Sequence, residues 1–234
     1  MNILDIRSSA PRHRTKLPTL RAISGIRQIV LHHGMTRRGL GGTNYEAYCR
    51  FHTQTNNWSV GGYTYGVEPD GVIKWGYDWN IQTPHVGNSN RHSLGIVSPG
   101  DFRFEEPTTV QYQRALELVN WLLPQLPNCD KVIGHQEVPG YAWKNCPAFS
   151  MNQFRADLQR VQQGETLDEE EVYFNMKLTK VEQSAVVSML ELWTDEKRYS
   201  NALQKSWLNR AKAGELTVRD AVRIQYEAQR RGIR

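Results

Sequence analysis

The sequence predicts an α/β layer domain over roughly the first two thirds of the chain, followed by a small all-α domain. Short β-like apolar runs alternate with helical stretches up to about residue 163, the pattern of a sheet covered by helices. Around residues 163–171 the chain turns polar and acidic (Gly164, Glu165, Asp168, Glu169, Glu170, Glu171), as an exposed connection does. Beyond it strand-like alternation stops, while helix-start spacings recur. These observations give three segments: a basic N-terminal arm (1–25), a main domain (26–163) and a helical domain (164–234).

Each element has a local reason. The run Ile26 to Leu31 reads as a buried strand. Thr43 and Glu46 have capping-box spacing, which predicts a helix from there to about Thr55. Tyr63 to Val67 and Val72 to Trp75 read as a hairpin around Pro69-Asp70-Gly71. Leu94 to Val97 is another strand, and Thr108 to Leu123 a helix burying Ala115, Leu118, Val119, Leu122 and Leu123. Lys131 to Gly134 is a short strand that stops at His135, and Ser150 with Gln153 starts a further helix. In the tail, the pairs Thr179/Glu182 and Thr217/Asp220 mark helix starts. Val181, Ala185, Met189, Leu192 and Trp193 share one helical face, so a three-helix bundle is expected, with cell-wall binding as a role it could serve.

Composition narrows the function classes. With 234 residues, 39% of them hydrophobic, the chain can bury a core. Its mean hydropathy of −0.62 and the lack of any run near ~20 apolar residues exclude a membrane-spanning chain. The net charge of +5 is concentrated in residues 1–27, where Arg7, Arg12, Arg14, Lys16, Arg21 and Arg27 face only Asp5. Such an arm suits an anionic cell-wall surface. No aromatic residue interleaves with it, so base stacking has no support and nucleic acid is not expected as a partner. No apolar stretch of signal-peptide length follows the first charges, and the expected location is therefore the cytoplasm. Cys49, Cys129 and Cys146 are an odd number, which leaves at least one thiol for other work.

Metal-ligand chemistry is the use those residues suggest. His32, or its neighbour His33, closes the first buried strand, His135 closes a later one, and Cys146 follows eleven residues on. Zinc accepts imidazole nitrogen and thiolate sulfur, and three protein ligands with an open fourth position define a catalytic site. A closed structural site would need Cys49 or Cys129 as a fourth ligand, and neither has the short cysteine spacing that supports one.

Four segments, in order, carry a family resemblance: IVLHHG at 29–34, VGGYTY at 60–65, HVGNSNRHSLGI at 85–96, and GHQEV through KNCP at 134–147. Together they resemble the type 2 N-acetylmuramoyl-L-alanine amidases, a group that includes phage lysis enzymes and the peptidoglycan recognition proteins. The resemblance implies a central mixed β-sheet flanked by helices, and Zn2+ held by His32, His135 and Cys146. It also implies Tyr63 and Lys144 as catalytic side chains, and His85 and Asn90 lining the substrate groove. Trp143 is the foremost aromatic candidate for that groove. The implied substrate is peptidoglycan, cut between the muramic lactyl group and L-alanine, with a phage endolysin waiting in the host cytoplasm as the implied setting. The competing reading is a module that binds muramyl peptide without cutting it; such binders typically lose the thiolate ligand, whereas Cys146 is present here.

Overall fold

In a computed structural model, the apolar run ending in two histidines becomes the strand β2 (Gln28–His33), buried from its second residue onward. It is flanked by parallel partners on both sides, β5 (Ser93–Ser98) and β6 (Lys131–Gly134), with Val30 opposite Gly95 and Ile133. A strand covered on both faces has no solvent side to keep polar, which is why it reads as a continuous apolar run. The hairpin forms as β3 (Tyr65–Val67) and β4 (Ile73–Trp75), antiparallel, with Gly71 in the left-handed region at its turn. With β1 (Ile3–Asp5) at one edge, the six-stranded mixed sheet runs β1-β4-β3-β5-β2-β6. The structure describes residues 1–167, 172, 178, 180–195 and 202–230, and divides into two compact units, 1–167 and 168–234.

The first strand corrects the sequence reading of residues 1–25 as a separate arm. Ile3–Asp5 is β1 and adds to β4 in parallel. Ala10 is buried in a cluster with Tyr45, Tyr48, Val60 and Tyr77, and single bridges tie Arg12 to Val60 and Leu20 to Ile81. Arg7 pairs with Asp5 and Asp78 while its guanidinium lies 3.8 Å over the Trp75 ring. Arg21 is buried. The charges counted as an arm are thus partly spent inside the fold.

Capping chemistry explains the helices. In α1 (Tyr45–Arg50) the cap is Asn44, whose side chain accepts from the Ala47 N–H, and not Thr43. Thr43 donates to the Arg37 carbonyl instead, and Glu46 is taken by Lys74 at 2.6 Å. The helix continues as a π-helical turn over Phe51–Thr55. Thr108 caps α2 (Thr109–Leu122), and Ser150 caps α3 (Met151–Gln162) as its spacing with Gln153 predicts. Leu116 is buried in α2 with Ala115, Leu118, Val119 and Leu122, whereas Leu123 begins the next turn and is half-buried. The Tyr112 hydroxyl donates to Asp157 at 2.9 Å, tying α2 to α3.

The second unit contains α4 (Lys180–Asp195), α5 (Ala202–Lys212) and α6 (Val218–Arg230). Thr217 and Asp220 form the expected reciprocal cap, and Leu178, Leu190, Ala211, Leu216 and Ile224 make the core. In α4 Met189 joins that core with Val186 and Val187, but Ala185 is exposed. Thr179 and the side chains of Val181, Leu192 and Trp193 lie outside the described residues. No described helix is long and apolar enough to cross a membrane.

Deleting residues 1–20 removes β1 and uncovers the Val60 and Tyr77 cluster. The shortened chain should therefore melt more than about 5 °C below the intact one in calorimetry. An unchanged melting temperature would return the segment to the status of an arm.

Candidate metal centre

Parallel pairing of β2 with β6 brings His32 and His135 to the same end of the sheet, and the loop from His135 to Cys146 returns the thiol to them. Gln136 N–H donates to the Cys146 carbonyl at 2.9 Å, which stitches that loop shut. Its middle folds over the site: the Tyr141 ring lies 4.6 Å from His135. One ligand atom from each of His32, His135 and Cys146 lies within 4.8 Å of the others, and all three residues are buried. Gly134 makes the approach possible, since a β-carbon there would sit 2.6 Å from Pro147 Cδ.

The donor set fits a metal ion. Cys146 Sγ stands 3.8 Å from His32 Nδ1. Ligands at ~2.3 Å and ~2.0 Å from one tetrahedral zinc stand about 3.5 Å apart, so a small closure would join them. His135 Nε2 is buried without a hydrogen-bond partner, a costly state unless a cation takes the lone pair. His32 Nε2 is 2.9 Å from His85 Nδ1, and His85 Nε2 is 3.4 Å from the Ser93 carbonyl. That carbonyl can only accept, so His85 carries its proton on Nε2, its Nδ1 accepts from His32 Nε2–H, and His32 Nδ1 is left with a free lone pair.

Desolvation sets the protonation states. Burial holds His32 well below the usual imidazole range, brings His85 to about 3 and His135 to about 4. Both ligating rings are therefore neutral at physiological pH. Burial pushes the Cys146 thiol up to about 12, against the His33 backbone and Lys144, which favour the thiolate. A bound cation reverses that balance, since coordination deprotonates a thiol.

The remaining sequence-derived residues fall into place around this set. The Tyr63 ring is 5.0 Å from His32, just ahead of β3 rather than within it, and burial keeps its phenol protonated. Lys144 sits close enough to depress both histidines, with its Nζ 5.0 Å from the Trp143 ring. Trp143 is 77% exposed, free to meet a ligand. Of His85 and Asn90, which the resemblance implies in the substrate groove, the first stands beside His32 and the second beside His85. His85 packs against His32, and the buried Asn90 accepts the His85 and Val86 N–H groups at 2.9 and 2.7 Å, fixing the turn that presents His85. His33 turns away, accepting the Phe102 N–H. A cavity of about 450 Å3 opens beside Tyr63, walled by Gly34, Met35, Tyr48, Phe51 and His52. Sequence reasoning missed Glu137, which accepts from Gly134 N–H at 2.8 Å and pairs with Arg155, bracing the His135 turn. Its position three residues after Gly134 was the available signal.

The family model for N-acetylmuramoyl-L-alanine amidase, Amidase_2, matches residues 22–149, more than half of the chain and every residue of the cluster. The chain belongs to this family. Among curated relatives, it is 31% identical over 90 residues to peptidoglycan-recognition protein LB of Drosophila melanogaster, covering 38% of this chain and 39% of that one. It is 27% identical over 128 residues to an N-acetylmuramoyl-L-alanine amidase of Sus scrofa, covering 47% and 20%. The chain thus spans less than half the length of these relatives. Among solved structures, the endolysin amidase LysCS of Clostridium intestinale aligns with a TM-score of 0.54 at 23% identity, over 68% of this chain and 95% of its own. Bumblebee PGRP-SA aligns with a TM-score of 0.52 at 22% identity, over 62% of this chain and 88% of its own. These likenesses establish the amidase and recognition-protein fold.

Within this amidase family site, Gly95 is the position that lets His85 reach His32, because a β-carbon there would lie 2.8 Å from His85 Nδ1. Gly95→Ala should fold yet weaken divalent-metal binding about tenfold or more in competition titrations. Unchanged affinity would mean that His85 does not orient the ligand.

Proposed function

We propose that the protein is a zinc-dependent N-acetylmuramoyl-L-alanine amidase that hydrolyses the amide between the muramic lactyl group and L-alanine of peptidoglycan. The observation that carries this reading is Cys146, buried beside two neutral imidazoles with matching donor geometry. A module that only recognises muramyl peptide has no need of a buried thiol at that place. Family membership supports the same chemistry.

When bound, zinc supplies Lewis-acid polarisation of the amide carbonyl and a water acidified towards neutral pH. The chain's own residues do the rest. Lys144, at the mouth of the cluster, offers a cationic donor to the oxygen that gains charge as water adds to the carbonyl carbon. Tyr63 keeps its hydroxyl proton at neutral pH and offers it as a donor to the same oxygen or to the attacking water. The carbon–nitrogen bond then breaks, and the amine of L-alanine leaves with a proton. Met35 and Phe51 give the cavity beside Tyr63 an apolar lining. Trp143 presents an exposed ring suited to stacking on a sugar or stem peptide. A role in phage lysis belongs to the same proposal, supported by the endolysin fold neighbours at the level of fold alone, and wall targeting is the role proposed for the separately cored helical domain.

The purified protein should hold about one zinc per chain and release L-alanine amino ends from cell walls without new reducing sugar ends, with activity lost on chelation. Full activity without metal would overturn the zinc reading, and new reducing ends without amino ends would overturn the bond assignment. Cys146→Ser should retain the fold and lose zinc and turnover, because a hydroxyl is a far weaker zinc ligand than a thiolate.

Lys144→Ala and Tyr63→Phe should each lower kcat by about 10²–10³ with zinc still bound. Wild-type kcat in both variants would leave the metal as the whole of the catalyst.

A further inference from the structure

Arg21 is the residue of the first unit whose placement nothing above explains. Its side chain is buried, yet its partners are main-chain carbonyls: Nε donates to Trp79 at 2.9 Å, and Nη1 donates to Asn90 at 2.8 Å and to Ser93. Nη2 is buried without a partner. A buried cation that meets carbonyls in place of a carboxylate, with one donor idle, is a poor device for stability. Burial draws its pKa down to about 10, a sign of that cost. Local costs of this kind gather at functional sites.

The carbonyls Arg21 grips belong to the segment that presents His85. Ser93 C=O accepts from Arg21 and also faces His85 Nε2 at 3.4 Å. Asn90 C=O accepts from Arg21, while the Asn90 side chain holds the His85 and Val86 N–H groups. The far end of Asn90's turn is fixed by Ser93 Oγ, which donates to Ser89 C=O and receives Gln28 Nε2–H at 2.7 Å. The planar fork spreads its donors over separate nitrogens, so Nε meets the Trp79 carbonyl while Nη1 meets those of Asn90 and Ser93, a spread that the single nitrogen of a lysine does not offer. We infer that Arg21 is a positioning residue for the metal centre: it fixes the Ser93 carbonyl, which sets the proton of His85, which in turn leaves His32 Nδ1 free to ligate. This rests on the zinc reading, and it adds a residue that lies outside all four family-like segments.

The test uses the full-length chain and zinc ion in competition with a chromophoric chelator. Arg21→Met should weaken zinc affinity about 10–100-fold, and Arg21→Lys less, because it keeps the charge and loses the fork. In a His85→Gln background the same Arg21→Met change should add less than about twofold, since the route runs through His85. Unchanged affinity in both Arg21 variants, or an equal loss with and without His85, overturns the inference. Histidine ring nitrogen NMR of the metal-free protein gives a reading independent of zinc. His85 and His32 should both carry the proton on Nε2 in the wild type, and His85 should lose that preference in Arg21→Met or, should that variant not fold, in Arg21→Lys. A wild type with the proton on His85 Nδ1 overturns the inference; a wild type that shows the expected tautomers but binds no zinc overturns the metal reading and leaves the positioning intact.

Discussion

Burial of His32 at the end of β2 is the constraint on which the site depends. An imidazole taken out of water must stay neutral, and a neutral imidazole must divide its two nitrogens into one donor and one acceptor. His85 takes the donor side, which commits the other nitrogen to the space shared with Cys146. The surrounding structure can be read as support for that single commitment. Gly95 gives His85 room, Asn90 holds its backbone, and the Ser93 carbonyl settles its proton. None of these groups touches the shared space, yet each is needed for a lone pair to point into it.

The sheet supplies the rest by topology. Parallel strands lay their carboxyl ends along one edge, and ligands of α/β sheets gather there because successive loops converge on it. His32 is next to last in β2 and His135 follows β6, the neighbour hydrogen-bonded to that strand, so two distant positions in sequence become adjacent rings 4.6 Å apart. The third ligand comes from the loop after His135, held by the Gln136 to Cys146 hydrogen bond and by Glu137 with Arg155. Strand pairing sets the coarse position, and the loop bonds set the fine one.

Much of this was legible in the sequence because its signals are local. The caps at Thr108, Ser150 and Thr217 and the strand over Lys131–Gly134 need only a few neighbouring residues to specify them. The clustering of His32, His135 and Cys146 was legible because each stands near a strand end or in a dense motif. What failed had a non-local cause. Thr43 and Asn44 are both good caps, and the choice between them was settled by Lys74, which draws Glu46 away. The strand Ile3–Asp5 has no periodicity to betray it at three residues, and exists because β4 offers it an edge. His85 was placed in the substrate groove by the family resemblance; its contact with His32 comes from the pairing of β2 with β5, which no local pattern shows. Arg21 counted only as one charge among six, since nothing in its neighbours announces three carbonyls drawn from residues 79 to 93.

The end point of the hydrogen-bond relay also bears on the chemistry. A carboxylate behind a ligating histidine makes that ring a stronger electron donor and brings a second negative charge to the metal. Here the relay from His32 ends on a neutral carbonyl, and that carbonyl also faces the Arg21 cation. Under the zinc proposal, His32, His135 and Cys146 would offer one negative charge, from the thiolate, against two on the ion. A centre left with net positive charge in a desolvated pocket draws oxygen atoms that gain negative charge more strongly than a fully compensated one. Under the zinc proposal, the same burial that makes the thiol hard to ionise by itself would make the loaded site a stronger electrophile, and the Arg21 cation at the far end of the relay would add to that positive balance.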